Sequence, residues 1–208
     1  MKHIKKINEG WFKSMLNGGK NSRIREKINT REIDSICRKY RIQNYTINPD
    51  ESIDVDGDVN LSSRGLKRIP LKFRNVRGYF YCNYNQLTSL EGCPQSVGGA
   101  FSCSGNQLTS LEGCPQIVGG AFYCYSNKLT DFNGFPEYWT GIVAFNGNPV
   151  KKILDRFKRD LWCRVIHLLN EMDVIRGTDI IEQRFEEVYY RMKLEIPENL
   201  EVEGYNLI

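Results

Sequence analysis

The chain has 208 residues, of which 40% are hydrophobic and 26% are charged, so it can bury the core of one domain or of two small ones. No apolar run approaches the ~20 residues of a membrane helix, and the first ten residues lack the apolar core of a secretory signal. Because the chain has only two histidines, most histidine-based catalysis and metal binding are excluded. The net charge of +4 is modest. We expect a soluble, cytoplasmic protein without membrane contact or cofactor.

The positive charge is concentrated at the start of the chain. Residues 1–48 contain 12 Lys and Arg but 4 Asp and Glu, whereas the remainder carries a net negative charge. We expect residues 1–29 to form a basic, flexible arm. The cations that could contact the phosphates of a nucleic acid are Lys13, Lys20, Arg23, Arg25, Lys27 and Arg31.

Residues 30–55 predict an N-terminal cap made of a short helix and a β-hairpin. Thr30 is a favourable N-cap residue, and apolar residues follow it at helical spacing. These apolar residues are Ile33, Ile36, Cys37 and Tyr40. Two short alternating segments, 45–47 and 53–55, flank a turn-forming stretch at 48–51, which is typical of a hairpin. We expect this hairpin to join the edge of the sheet that follows.

A period of 21 residues organises the middle of the chain. Cys82, Cys103 and Cys124 are 21 residues apart. The segment 85–94 returns almost unchanged at 106–115. The five copies begin at Asp56, Arg77, Gly98, Gly119 and Thr140. A fixed period near 20 residues is typical of a solenoid, in which each repeat stacks on the next.

Equivalent positions of the copies predict the course of each coil. Apolar residues recur at positions 4, 6, 11, 14 and 21, and positions 4 and 6 alternate with small or polar residues, as in a half-buried strand. Position 9 is asparagine in four copies, and its amide can bind the backbone of successive coils. Glycine and proline in the second half of each copy disfavour a helix, so we expect extended or turn-like structure there.

The copies resemble leucine-rich repeats. The sequence Gly-Gly-Ala-Phe-Ser-Cys-Ser-Gly-Asn-Gln-Leu at 98–108 is similar to the core LxxLxLxxNxL, with glycine in place of the first leucine. The resemblance covers residues 56–153 and implies an α/β solenoid of about five short repeats with a parallel, concave β-sheet. More closely, the segments 52–59 and 87–94 resemble small leucine-rich-repeat proteins of large tailed, T4-like bacteriophages.

Residues 154–208 predict a helical cap for the other end of the solenoid, because a bare end would expose apolar side chains. One apolar stripe at helical spacing consists of Leu154, Phe157, Leu161, Val165 and Leu168. Asp179 and Glu182 have the spacing of a capping box that would open a second helix.

Neither the cysteines nor the carboxylates form a recognisable chemical site. None of the seven cysteines lies in a CxxC pair, as zinc and redox motifs require, and we expect Cys82, Cys103 and Cys124 to form a buried, reduced column. The acidic segment 54–60 lacks the glycine and glutamate positions of a calcium loop. We therefore predict no metal site and no enzymatic activity.

The outward positions of the strands carry two groups of tyrosines around a row of small residues. Tyrosine buries a large area with few rotatable bonds and is enriched at binding surfaces, although it also suits strands in general. We predict that the concave face binds a partner through Tyr79, Tyr81, Tyr84, Ser102, Ser104, Tyr123, Tyr125 and Asn146.

The sequence thus predicts a protein-binding scaffold, and the phage resemblance implies a partner from the host or its defence systems, bound in the host cytoplasm. Two alternatives remain open. The chain could act on nucleic acid through its basic N-terminal segment. It could instead be a head-packaged virion protein, since the segment 7–10 resembles the site cut by the prohead protease of T4-like phages. The sequence predicts no particular oligomeric state.

Overall fold

The computed structural model describes residues 29–208, in which a β-solenoid is followed by a mixed helical part. The helices of this range are α1 (29–40), α2 (Lys151–Leu154), α3 (Trp162–Glu171) and α4 (Glu182–Met192). The strands before the helical part are β1 (Tyr45–Ile47), β2 (Ile53–Val55), β3 (Val59–Asn60), β4 (Phe73–Val76), β5 (Phe80–Tyr81), β6 (Ser96–Val97), β7 (Phe101–Ser102), β8 (Ile117–Val118), β9 (Phe122–Tyr123), β10 (Tyr138–Trp139) and β11 (Val143–Ala144). The last strands are β12 (Ile175–Arg176), β13 (Asp179–Ile180) and β14 (Asn206–Leu207). None of the helices in the described range could cross a membrane.

Two parallel sheets run along the solenoid. The first, here called the hairpin sheet, has the order β1-β2-β4-β6-β8-β10, and the second, the tyrosine sheet, has the order β11-β9-β7-β5-β3. Residues 21 apart pair in register, as Phe80 does with Phe101 and Phe101 with Phe122. The predicted solenoid of 21-residue coils is therefore confirmed. The half of each coil that was predicted to be extended contributes the strands of the hairpin sheet.

The interior of the solenoid is built from columns of equivalent residues. Phe80, Phe101 and Phe122 are fully buried, and their rings stack with centroids 6.0 Å and 5.5 Å apart. Beside them runs the buried column of free thiols predicted at position 6 of the coils. Because strands in a parallel sheet are about 4.8 Å apart, identical side chains in register can keep one rotamer from coil to coil.

The asparagines at position 9 form the predicted hydrogen-bonded ladder. The Asn106 amide donates to the carbonyl oxygens of Cys103 in its own coil, at 2.8 Å, and Cys82 in the preceding coil, at 3.1 Å. Its side-chain oxygen accepts the N–H of Leu87 at 3.0 Å. The same pattern recurs at Asn85, Asn127 and Asn148. Each asparagine therefore satisfies backbone groups of two adjacent coils.

The corner between the two sheets depends on a close approach of backbones. A Cβ atom added to Gly98 would lie 2.1 Å from the carbonyl oxygen of Arg77 in the coil below. Gly119 approaches Gly98 in the same way, at 2.2 Å. Glycine at these corners thus lets successive coils stack without displacing the backbone.

The N-terminal end of the solenoid is closed as predicted. Ile33 and Cys37 on α1 are buried, and the hairpin of β1 and β2 is antiparallel. The second strand of the hairpin pairs in parallel with β4, so the hairpin extends the hairpin sheet. The Tyr45 hydroxyl donates to the carboxylate of Asp34 at 2.6 Å and ties the hairpin to α1.

The C-terminal part is helical as predicted, but two details of the prediction are wrong. The single apolar stripe is divided among α2, a 3-10 turn at Arg159–Leu161 and α3, because Lys158 has an extended backbone. Asp179 lies in β13 and does not cap α4, which begins at Glu182 without a side-chain cap. The pairing of β13 with the distant β14 takes Asp179 out of the helix.

Candidate functional site

Five tyrosines lie on the outward side of the tyrosine sheet. Tyr79 and Tyr81 come from the second coil, Tyr123 from the fourth, and all three rings are half-buried. Tyr84 and Tyr125 lie at the ends of the same strands, with Tyr84 55% exposed. We refer to these five residues as the tyrosine face. Their exposed rings contrast with the buried phenylalanines on the inward side of the same strands.

The rings of Tyr79 and Tyr81 hold each other in position. Their centroids are 4.4 Å apart and their planes differ by 19°, which is a stacked pair. The Asp58 carboxylate, on the preceding coil, accepts the backbone N–H of Tyr79 at 3.0 Å. The negative charge of Asp58 also raises the pKa of the Tyr79 hydroxyl. The stacked pair therefore has a carboxylate at one border.

Tyr84 and Tyr125 meet across the coil that lies between theirs. Their hydroxyl oxygens are 3.0 Å apart, and this hydrogen bond raises the pKa of Tyr84. The Tyr84 ring covers Gly105 of the middle coil, where an added Cβ would lie 2.6 Å from the ring. The two rings therefore form a bridge over one coil.

Tyr84 adopts a backbone conformation that bulky residues rarely adopt. Its φ is +55°, in the left-handed region, as are those of Gly105 and Gly147 at the same position of later coils. A side chain with a Cβ costs roughly 1–2 kcal/mol there. The coil geometry imposes this conformation, so a tyrosine at the position carries a cost that glycine avoids. Ser63 and Ser126 share this conformation at the same position, so it belongs to the repeat and not to the tyrosine alone.

The row of small residues is covered, which corrects the prediction that it is exposed. Ser104 is fully buried and Ser102 is 7% exposed. Their hydroxyl oxygens are 3.4 Å apart. The Tyr84–Tyr125 bridge spans the coil of Ser104, because the rings of the flanking coils are long enough to meet over small side chains. The two predicted groups of tyrosines therefore meet over the small residues and do not flank an open row of them.

Asn146 lies at the border of the tyrosine face. It occupies the coil after Tyr125 and is exposed, and its carbonyl oxygen accepts the N–H of Ser126 at 2.7 Å. Its side chain is therefore placed to contact whatever covers the adjacent ring of Tyr125.

The thiols and carboxylates that the sequence analysis set aside occupy structural positions. Burial raises the pKa of the Cys103 and Cys124 thiols, which keeps them protonated and unreactive. Asp54 forms an ion pair with Arg74, and Asp56 pairs with Arg77 at 3.3 Å. Within residues 29–208, no group of three or more potential metal ligands comes together.

The candidate nucleic-acid residues fall almost entirely in the part of the chain that the structure does not describe. Arg31 lies on α1 with an exposed side chain. The other candidates, Lys13, Lys20, Arg23, Arg25 and Lys27, lie outside the described residues. The same holds for residues 1–28 of the predicted arm and for the segment 7–10 that resembles a cleavage site.

The Tyr84–Tyr125 bridge and the covering of Ser104 are features that sequence reasoning missed. The available signal was Gly105, which stands between the two tyrosines in the stack and leaves room for a ring. Glycine opposite an aromatic residue on the next coil indicates a ring lying flat across the strand.

Comparison of this chain with protein-family models, with curated proteins and with solved structures finds no match.

Proposed function

We propose that the protein is a non-enzymatic scaffold that binds another protein through the tyrosine face, and that it inhibits or redirects a bacterial host or defence-system protein in the host cytoplasm. The observation that carries this proposal is the gathering of five partly exposed tyrosine rings on one outward side of a single sheet. The resemblance to phage leucine-rich-repeat proteins supports the choice of partner.

The arrangement of the rings suits binding energetically. Stacking of Tyr79 on Tyr81, at 4.4 Å, and the hydroxyl contact of Tyr84 with Tyr125, at 3.0 Å, restrict four side chains before a partner arrives. Binding then loses less side-chain entropy, which otherwise costs about 0.5–1.5 kcal/mol for each immobilised side chain. Each ring offers a large apolar area together with a polar hydroxyl, the combination enriched in interface hot spots.

The location of the tyrosines also supports a role beyond folding. At the left-handed position of Tyr84 the other four coils have serine or glycine, so the coil does not need a ring there. The third coil, between the two tyrosine groups, pairs in the same register with Ala100, Ser102 and Ser104 on the same side. The sheet therefore does not require outward tyrosines, and binding gives them a purpose.

The test is a pair of matched double variants. The first variant, Tyr81→Ala with Tyr123→Ala, removes two rings of the tyrosine face. The control, Tyr138→Ala with Tyr190→Ala, removes two rings elsewhere that are 58% and 73% exposed. After the partner is identified by affinity purification from bacterial cells, we expect the first variant to lose at least about 30-fold in affinity, as for one hot spot worth 2 kcal/mol. The control keeps its affinity.

Thermal unfolding of both variants separates binding from folding. We expect both melting temperatures to stay within a few degrees of the parent's, because none of the four rings belongs to the buried core. Unchanged affinity of the Tyr81/Tyr123 variant, or an equal loss in the Tyr138/Tyr190 control, would overturn the proposal.

A further inference from the structure

The two ends of the solenoid are covered to different degrees. At the N-terminal end, Val55 on the hairpin and Val59 on the first coil are at most 2% exposed. At the C-terminal end, Trp139 and Val143 occupy the same two positions of the coil and are half-buried. The C-terminal cap therefore leaves part of the last coil uncovered.

The contacts of the C-terminal part explain which side stays open. Tyr205 donates to the carbonyl oxygen of Thr130 at 2.7 Å, and Asn170 donates to that of Phe132 at 2.9 Å. Both contacts lie on the part of the coil that follows the tyrosine sheet. The strands β10 and β11 remain the last members of their sheets in residues 29–208.

Among residues 29–208, the backbone groups on the open side of β11 have no partner, and the edge carries no charge. Phe122 donates to the Ile142 carbonyl at 2.9 Å and Cys124 to the Ala144 carbonyl at 3.1 Å. The backbone groups of Ile142 and Ala144 thus point toward β9, and the N–H and C=O of Val143 point away from the sheet. Residues 138–147 contain no charged residue and no proline. Free edges are normally protected by such residues.

We propose that this edge pairs with the same edge of a second copy of the chain in a two-fold symmetric dimer. An antiparallel contact of two β11 strands lets the Val143 groups of the two copies exchange hydrogen bonds. It also covers Ile142, which is 58% exposed at this end. An uncharged strand is complementary to itself, and two-fold dimers close without leaving a new edge.

Head-to-tail stacking fits the two ends less well. At the N-terminal end, β1 adds one strand to the hairpin sheet, whereas the tyrosine sheet ends at β3. At that end one sheet therefore extends one strand beyond the other, which makes the end stepped. At the C-terminal end the two sheets finish at the same level, with β10 and β11. A stepped end on a level end cannot pair both sheets, whereas two level ends can.

Sedimentation equilibrium of the full chain between about 1 and 100 µM tests the proposal. We expect a dimer, and we expect Ile142→Lys to raise its dissociation constant at least about tenfold, because the lysine places a charge at an apolar contact. The control is Ile117→Lys, whose residue is 52% exposed on β8 in the middle of the hairpin sheet. It leaves the dimer intact.

Three results would overturn the proposal: a monomer at 100 µM, a dimer that survives Ile142→Lys, or equal weakening by Ile117→Lys. Hydrogen exchange adds a second readout, in which dilution from dimer to monomer speeds exchange of the Val143 amide. An exchange rate that does not change with concentration contradicts the edge contact. None of these measurements depends on a partner at the tyrosine face.

Discussion

The inward and outward sides of the tyrosine sheet follow different rules although they belong to the same strands. On the inward side, phenylalanine occupies the same position in three consecutive coils, with Phe80, Phe101 and Phe122 all buried. On the outward side, the residue next to each phenylalanine changes from Tyr81 to Ser102 and to Tyr123.

This difference separates what the fold requires from what it permits. Inside, each side chain packs against its own equivalents above and below, so a change in one coil affects two others. Outside, the sheet accepts serine and tyrosine alike. The outward variation is therefore free to serve binding.

The largest effect is expected from breaking the inward pattern at the asparagine ladder. Asn106→Ala leaves the buried N–H of Leu87 without the acceptor it now has at 3.0 Å, and three carbonyl oxygens lose a donor. We expect a loss of about 2–3 kcal/mol in the free energy of unfolding. Urea denaturation measures it, with Asn133→Ala on the surface as the control. Equal stability of the two variants would contradict the role of the ladder.

A smaller effect is expected at the left-handed position on the outward side. Tyr84→Gly relieves the backbone at φ +55° but loses the ring contacts, so we expect the free energy of unfolding to change by less than about 1 kcal/mol. Binding of the partner should weaken. Ser126→Gly has the same φ without a ring and isolates the backbone contribution. A destabilisation by Tyr84→Gly as large as that of Asn106→Ala would show that the ring serves folding.

The smallest effect is expected from the ion pair of Asp54 on the outer side of the hairpin sheet. The hydrogen bond from Arg74, with further bonds from Asn75 and Asn48, lowers the pKa of Asp54. Because the pKa of Asp54 is lower in the folded state, its ionisation stabilises the protein at pH values above the unfolded pKa of about 3.9. This stabilisation is lost as the pH falls through the folded-state pKa. We therefore expect Asp54→Asn to flatten the acid side of the stability profile, measured by urea denaturation from pH 6 to pH 2. Glu137→Gln serves as the exposed control. A profile as steep as the parent's would contradict this contribution.

The sequence predicted the repeat well because a stacked coil repeats its constraints. Each inward residue meets its equivalent 21 positions away, so the period appears directly in Phe80, Phe101 and Phe122. The hairpin sheet was missed as a sheet because the strand Ser96–Val97 and its equivalents have one recurring apolar position, between proline and glycine residues that favour turns. The capping box at Asp179 failed because pairing with the distant β14 decides that residue's conformation.

The candidate site was predictable in its members but not in its shape. The outward positions of Tyr81 and Tyr123 follow from alternation along a strand. The contact of Tyr84 with Tyr125 depends on ring orientation and on the space above Gly105, which a one-dimensional pattern does not contain. The sequence therefore predicted an exposed Ser104, whereas in the structure this residue is buried.

The tyrosine face as a binding surface is tested most directly by site-specific photo-crosslinking in bacterial cells. A benzophenone amino acid is placed at Tyr81, at Tyr123, and, for comparison, at Tyr138 and Tyr190, and the products are identified by mass spectrometry. We predict one discrete adduct with a protein other than this chain from the first two positions, and no adduct with that protein from the other two. The same adduct from Tyr138 or Tyr190, with none from Tyr81 and Tyr123, would contradict the proposal.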